Sequence, residues 1–370
     1  MLGAVKVLIV DDSAYSRQAI KGMLEADRDV EVVGVASNGV EAIAKTIRLK
    51  PDIITLDFEM PEMDGFSFLR WVMKERPTPV VMITSYSDSM TVFKALELGA
   101  VDFIAKPSRR ASMELNAIQG DLLHKIKGIR ELRMEKLSIS RNLISKTPES
   151  AERTGDAQTE EVSLQDMRVV TMGASTGGPT ALQVILTWLP SNLPAAILVS
   201  QHMPKGFTRP FAERLNRQAR IKVKEASDGD IVEAGKALIC PGGYHMALKR
   251  KNKAVCVSLR EVTASDKYAP SVDVMMTSAA EHFGPQTIGV ILTGMGDDGR
   301  KGIVEIRDKG GYTIAESESS AVIFGMPNEA IKTGAVDKVL PLYKIPNEIG
   351  TTVAEKGIKD GKRTGHHKKS

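Results

Sequence analysis

The sequence predicts an α/β protein made of two doubly wound, mostly parallel domains. Three observations lead to this. Over the first 125 residues, short apolar runs alternate with amphipathic stretches of helical spacing. A polar stretch, "SKTPESAERTGDAQTEEVSLQ", then breaks the pattern, and from Met167 the alternation resumes.

The first set of strands reads "VKVLIV", "VEVVGVA", "DIITLD", "PVVMIT" and "VDFIA". Between the early ones lie "SAYSRQAIKGMLEA" and "GVEAIAKTIRLK", whose apolar residues fall on one helical face. Such βαβα alternation places helices on both faces of a parallel sheet. A helix-prone segment, "MELNAIQGDLLHKIKGIRELRMEKL", follows, and residues 138–166 read as an interdomain linker. The second set of strands is "RVVTMG", "AAILVSQ", "IKVKEA", "KALIC", "IGVILTG", "YTIAE" and "DKVL". Within it, "YHMALKR" and "AVCVSLR" flank a polar "KNK" and predict an inserted antiparallel hairpin. The expected organisation is a domain over 1–125, a helical extension and linker over 126–166, a domain over 167–348 and a basic, disordered tail over 349–370. No internal repeat is evident.

A chain of 370 residues exceeds one ordinary domain. Hydrophobic residues make up 42% and aromatics only 5%, so the cores should be aliphatic. The formal net charge is +4, and the tail accounts for all of it. Lys356, Lys359, Lys362, Arg363, Lys368 and Lys369 stand there against Glu355 and Asp360. The remainder is formally neutral, which argues against a nucleic-acid-binding domain. His366 and His367 are assigned no metal site. Two cysteines, Cys240 and Cys256, suit a reducing compartment. Asp11 and Asp12 interrupt any N-terminal signal core, and no run reaches the roughly 18 apolar residues of a membrane span. The expectation is a cytoplasmic protein with no direct membrane insertion.

In parallel α/β sheets, ligands gather beyond the carboxyl ends of the strands. In the first domain those positions hold Asp11 and Asp12, then Asp57, Thr84 and Lys106. One strand-end aspartate alone would suit a helix cap. Three acids together repel one another and need a cation, and hard oxygen ligands suit Mg²⁺. One acid could also accept a phosphoryl group, with Lys106 and Thr84 binding its oxygens. "VLIVDDS", "LDFEMPEMDG", "ITS" and "DFIAKP" resemble the receiver domain of two-component response regulators, which is flavodoxin-like. The resemblance spans residues 5 to about 125. It implies that Asp57 takes phosphate from a histidine kinase. It also implies that Asp12, Asp57 and the backbone carbonyl of Glu59 hold Mg²⁺, with Asp11 assisting, and that Phe103 is the switch aromatic.

In the second domain, Ser175, His202 and the pair Asp297–Asp298 follow three strands. A hydroxyl, an imidazole and a carboxylate so placed fit a nucleophile, a base and an orienting acid. Each has a plainer alternative: Ser175 or either aspartate could cap a helix, and His202 could be a satisfied strand-end residue. His245, after a Gly-Gly turn, competes with His202. His282 reads as a helix C-terminal histidine, and Cys240 as a packed thiol. The turn "GASTGG" offers two readings. As a phosphate cradle it lacks the glycine that G-x-G-x-x-G needs at Ser175, and Pro179 replaces the lysine of a P-loop. As G-x-S-x-G it presents a nucleophile.

"GASTGGP", "QHMPKGFT", "PGGYHM", "PSVDVMM", "LTGMGDDG" and "AVIFGMPNEA" resemble, in order, the catalytic domain of chemotaxis protein-glutamate methylesterases. The resemblance runs from about 168 to 346, behind a receiver as in that family. It implies Ser175 as nucleophile, His202 as general base and Asp297 as the carboxylate orienting it. Backbone N–H groups of Met295 and Thr176 would form the oxyanion hole, and this chemistry would need no metal. The chain order Ser, His, Asp differs from that of α/β-hydrolases. The implied substrates are methylated glutamates, and some glutamines, on chemoreceptors. The phosphodonor would be the chemotaxis histidine kinase, and the protein would act as a monomer. The receiver would cover the Ser175 face until Asp57 is phosphorylated. Two other classes are weighed: a DNA-binding regulator, opposed by the neutral α/β output domain, and a noncatalytic phosphate-binding module.

Overall fold

Strands rich in Val and Ile and buried on both faces form parallel sheets, and both halves of this chain do so. The computed structural model describes residues 3–84, 89–106, 118–129, 167–263 and 265–354, with Lys136 and Leu143. The first domain runs β1 (Val5–Val10), α1 (Ala14–Glu25), β2 (Val30–Ala36), α2 (Gly39–Leu49), β3 (Ile53–Leu56), α3 (Gly65–Glu75), β4 (Val80–Thr84), α4 (Ser89–Leu98), β5 (Asp102–Ala105) and α5 (Gln119–Ile129). Its sheet order is β2-β1-β3-β4-β5, with every pairing parallel. Ser13, Asn38 and Asp64 start α1, α2 and α3, each side chain accepting an N–H of the first turn.

The last helix runs to Ile129, past the expected boundary at residue 125. Leu122, Ile126 and Ile129 form an apolar stripe at helical spacing, packed with Val5, Val7, Ile9 and Ile20. The helix therefore belongs to the first domain. The expected linker at 138–166 lies outside the described residues, apart from Leu143.

The second domain has β6 (Arg168–Ala174), α6 (Gly178–Trp188), β7 (Ala195–Gln201), α7 (Thr208–Gln218), β8 (Lys222–Glu225), β9 (Lys236–Ile239), β10 (Tyr244–Lys251), β11 (Ala254–Glu261) and α8 (Val272–Phe283). It continues with β12 (Thr287–Ile291), α9 (Arg300–Asp308), β13 (Tyr312–Glu316), α10 (Gly325–Lys332), β14 (Lys338–Leu340) and α11 (Ile345–Ala354). Seven strands make one parallel sheet in the order β14-β13-β12-β6-β7-β9-β8. β10 and β11 form the expected antiparallel hairpin, turning at Asn252 with φ 54°. Ile349, Thr352 and Val353 are buried, so the folded domain extends through α11 rather than ending at residue 348. The tail from Glu355 lies outside the described residues.

The chain enters this sheet centrally at β6, builds outward through β7, and later returns to β12 on the other side of β6. Loops leaving β6 and β12 diverge at this switch point and open a crevice there. The first domain packs beside it. Phe93 stacks on Phe211, with ring centroids 5.3 Å apart, and Phe103 meets Phe207 at 4.7 Å. Arg214 pairs with Glu97 across the same contact.

Candidate active site

Ser175 leaves β6 in a tight turn. Its N–H donates to the Thr293 carbonyl at 3.0 Å, and its own carbonyl accepts from Gly178 N–H and the Gln201 side chain. Gly177 has φ +77°, and a Cβ there would lie 2.7 Å from that of Val322. Only glycine fits that turn. It starts α6 without blocking the serine.

His202 follows β7, its backbone tied to Ala174. Its Nε2 lies 2.8 Å from Asp298 Oδ2. The carboxylate paired with the histidine is therefore Asp298, not Asp297 as expected. Asp298 is buried at the N-terminus of α8. Its Oδ2 also accepts from Val272 N–H, and its Oδ1 from Asp273 N–H and the Ser271 hydroxyl. A helix N-terminus suits an anion. Burial pushes the Asp298 pKa up, but the His202 hydrogen bond and charge and the two backbone donors outweigh it, leaving the carboxyl below its ordinary value. Asp297 faces outward instead, accepting Lys267 Nζ at 2.8 Å and the Tyr268 hydroxyl at 2.7 Å. Consecutive residues in this turn point to opposite sides, so an Asp-Asp pair leaves the choice open in sequence.

Ser175 and His202 share a 490 Å³ cavity with Thr176 and Tyr268. Among the described residues, neither Thr176 N–H nor Met295 N–H donates a hydrogen bond. The Thr176 hydroxyl donates to Asp102 of β5 at 2.6 Å.

Three further residues around this site, Tyr268, Ser271 and Glu316, are given no role by the sequence motifs. Tyr268 stacks on His202. Ser271 holds Asp298. Glu316 is buried at the end of β13 and accepts from Thr293 N–H and the Ser320 hydroxyl, both at 2.8 Å. Burial raises its pKa to about 7. His245 is buried, and its Nδ1 accepts from Ser271 N–H, so it supports the same helix start. His282 bonds within α8 to the Ser278 carbonyl, as its position suggested. Cys240 is buried, and burial pushes its thiol pKa far up.

In the first domain, ligand oxygens of Asp11, Asp12 and Asp57 lie within 4.8 Å of one another. Lys106 Nζ reaches Asp11 at 2.8 Å and Asp57 at 2.7 Å. Burial raises the Asp57 pKa, partly opposed by Lys106. Thr84 and Phe103 are buried beside this edge. Three carboxylates against one ammonium leave an excess of negative oxygen donors, a fit for a hard divalent cation.

The CheB methylesterase family matches residues 170–349, and the response regulator receiver domain family matches residues 7–117. The chain is 49% identical over 357 residues to protein-glutamate methylesterase/protein-glutamine glutaminase 3 of Geobacter sulfurreducens, covering 93% of this chain and 96% of that one. A Pyrococcus abyssi protein-glutamate methylesterase/protein-glutamine glutaminase is 42% identical over 365 residues, covering 98% and 97%. The chain belongs to the CheB family of receiver-regulated protein-glutamate methylesterases and glutaminases.

The CheB architecture explains why two sites sit in one chain. The receiver's α5 contributes Gly120, Asp121, His124 and Lys125 to the wall of the cavity holding Ser175 and His202. Lys125 reaches Asp102 at 3.1 Å and the Phe103 carbonyl at 2.7 Å. Receiver strand β5 is thereby joined both to the Lys106 edge and to Thr176, the neighbour of Ser175. No helix among the described residues is long and apolar enough to cross a membrane.

Proposed function

We propose that Ser175, His202 and Asp298 hydrolyse glutamate γ-methyl esters, and deamidate glutamines, on chemoreceptors. With Nε2 engaged by Asp298, Nδ1 is the nitrogen left to take the Ser175 proton. Ser175 Oγ bonds to the ester carbonyl carbon, and the imidazolium returns the proton as methanol leaves. Water then attacks the acyl-enzyme by the same route. Thr176 and Met295 N–H groups, uncommitted among the described residues, suit the developing oxyanion. The observation that carries this reading is that His202, paired with the buried Asp298, lines the same cavity as Ser175. Methanol release from methylated receptor membranes tests it. Ser175→Ala should abolish release. Asp298→Asn should cost on the order of 10⁴-fold, as for other triad carboxylates, whereas Asp297→Asn should stay within about tenfold. Equal losses for the two asparagine variants would refute the assignment.

In the same reading, Asp57 accepts phosphate from the chemotaxis histidine kinase. Asp11, Asp12, Asp57 and the Glu59 carbonyl would hold Mg²⁺, which neutralises charge on the phosphoryl oxygens. Lys106 holds the Asp57 carboxylate in place and Thr84 lies beside it. Phosphorylation shifts the α5 wall away from Ser175. A small phosphodonor should stimulate wild type and leave Asp57→Ala unchanged; a stimulated variant would remove Asp57 as the phosphorylation site.

A further inference from the structure

Asp297 lies beside the triad carboxylate yet does not touch His202. What it holds is Tyr268, gripped at both ends of its hydrogen-bonding capacity. The hydroxyl donates to Asp297 Oδ1 at 2.7 Å and accepts from Asp297 N–H at 3.3 Å. Gly296 makes room for it: φ is +85°, and a Cβ would sit 2.4 Å from the tyrosine oxygen. Lys267 donates to the same Asp297 oxygen and lies 4.7 Å from the centre of the tyrosine ring, its charge matched by that carboxylate. So held, the ring lies against His202 with centroids 5.1 Å apart and planes only 8° from parallel. This is an offset stack.

We propose that Tyr268 is a positioning residue for His202 whose π face stabilises the imidazolium formed when the histidine takes the Ser175 proton, with Asp297 as its anchor. The inference rests on the reading of His202 as general base. The face of an aromatic ring is electron-rich, so a neutral imidazole gains little from it and a cationic one gains more. That difference favours the transition state over the ground state. It also gives a task to the contact that Lys267 and Tyr268, on the loop before α8, make with Asp297 on the loop after β12. Other charged or titratable groups face His202: Asp298 on its Nε2, Lys267 and Asp297 behind the ring, and Asp121, His124 and Lys125 from α5. All are unchanged in the variants below, so differences between variants report the ring.

The test is the titration of the His202 ring by NMR in the full chain, alongside the pH dependence of phosphodonor-stimulated kcat/KM. Tyr268→Leu should lower the His202 pKa by about half a unit and move the acid limb of the rate profile down with it. The plateau should fall about threefold. Tyr268→Phe keeps the ring and should keep the wild-type limb. A leucine variant whose His202 titrates as wild type or higher would overturn the proposal, as would a phenylalanine variant shifted as far as leucine. Because the NMR titration needs no turnover, it still reports on the stack if Ser175→Ala shows the esterase reading to be wrong.

Discussion

Glu316 lies behind the nucleophile turn, and its chemistry departs well from its surface value. It holds Thr293 N–H, while Thr293 holds Ser175 N–H with its carbonyl and the Thr176 carbonyl with its hydroxyl. The carboxyl thus braces the nucleophile turn from behind. Burial raises its pKa from 4.5 to about 7. Below about pH 4.5 the folded and unfolded states are both protonated, and the group contributes no pH dependence. Between 4.5 and 7 the native state binds more protons than the unfolded one, so stability falls as pH rises. Above pH 7 the loss is complete, on the order of 3 kcal/mol for this shift. Glu316→Gln keeps an acceptor for Thr293 and cannot ionise. Urea unfolding of both proteins at pH 4.5 and pH 8 should show the glutamine variant gaining relative stability by roughly that amount. A pH-independent difference would show that Glu316 titrates normally.

Among the elements, α8 does the most for the site, because its first turn is where Asp298 binds. Ser271 serves twice: its hydroxyl accepts Val274 N–H as the helix N-cap and donates to Asp298 Oδ1. Ser271→Ala should cost about 1 kcal/mol in stability. It should also lower kcat severalfold by loosening the carboxylate, with Ser271→Thr restoring both; an alanine variant of full activity would confine Ser271 to capping. This helix start also shows what sequence could reveal. The strands, the hairpin and the strand-end placement of Ser175 and His202 were legible because hydrophobic period and strand-end position are local signals. Asp298 was not separable from Asp297, since the choice depends on which neighbour turns toward α8. Tyr268, Ser271 and Glu316 act through contacts made by residues 20 to more than 60 positions away, and a linear pattern carries no trace of them. The helices α5 and α11 run beyond residues 125 and 348 because their apolar stripes continue there through Ile126, Ile129, Ile349 and Val353.

For the whole molecule, the decisive fact is that one receiver helix lines the cavity of the catalytic serine. Among the described residues, the domain contact includes two aromatic pairs, the Thr176–Asp102 hydrogen bond, the Arg214–Glu97 ion pair, and the packing of Met295, Val322 and Ile323 with Leu122, Ile126 and Ile129. The ion pair is the safest lever, because neither residue belongs to the triad or to the acidic cluster around Asp57. Arg214 is largely buried on α7, and desolvation, with the nearby Arg217 charge, lowers its pKa. An opposing cation there would be poorly screened. Glu97→Arg sets two guanidinium groups against each other, which should shift the population toward separated domains. A coupling of 1–3 kcal/mol corresponds to roughly 5- to 150-fold, so methanol release without phosphodonor should rise at least about fivefold. The added stimulation by phosphodonor should shrink in proportion, because the same opening cannot be gained twice. The double variant Glu97→Arg/Arg214→Glu restores the attraction and should return both quantities toward wild type. Unchanged release by Glu97→Arg would mean that contact between α4 and α7 does not hold the receiver over Ser175.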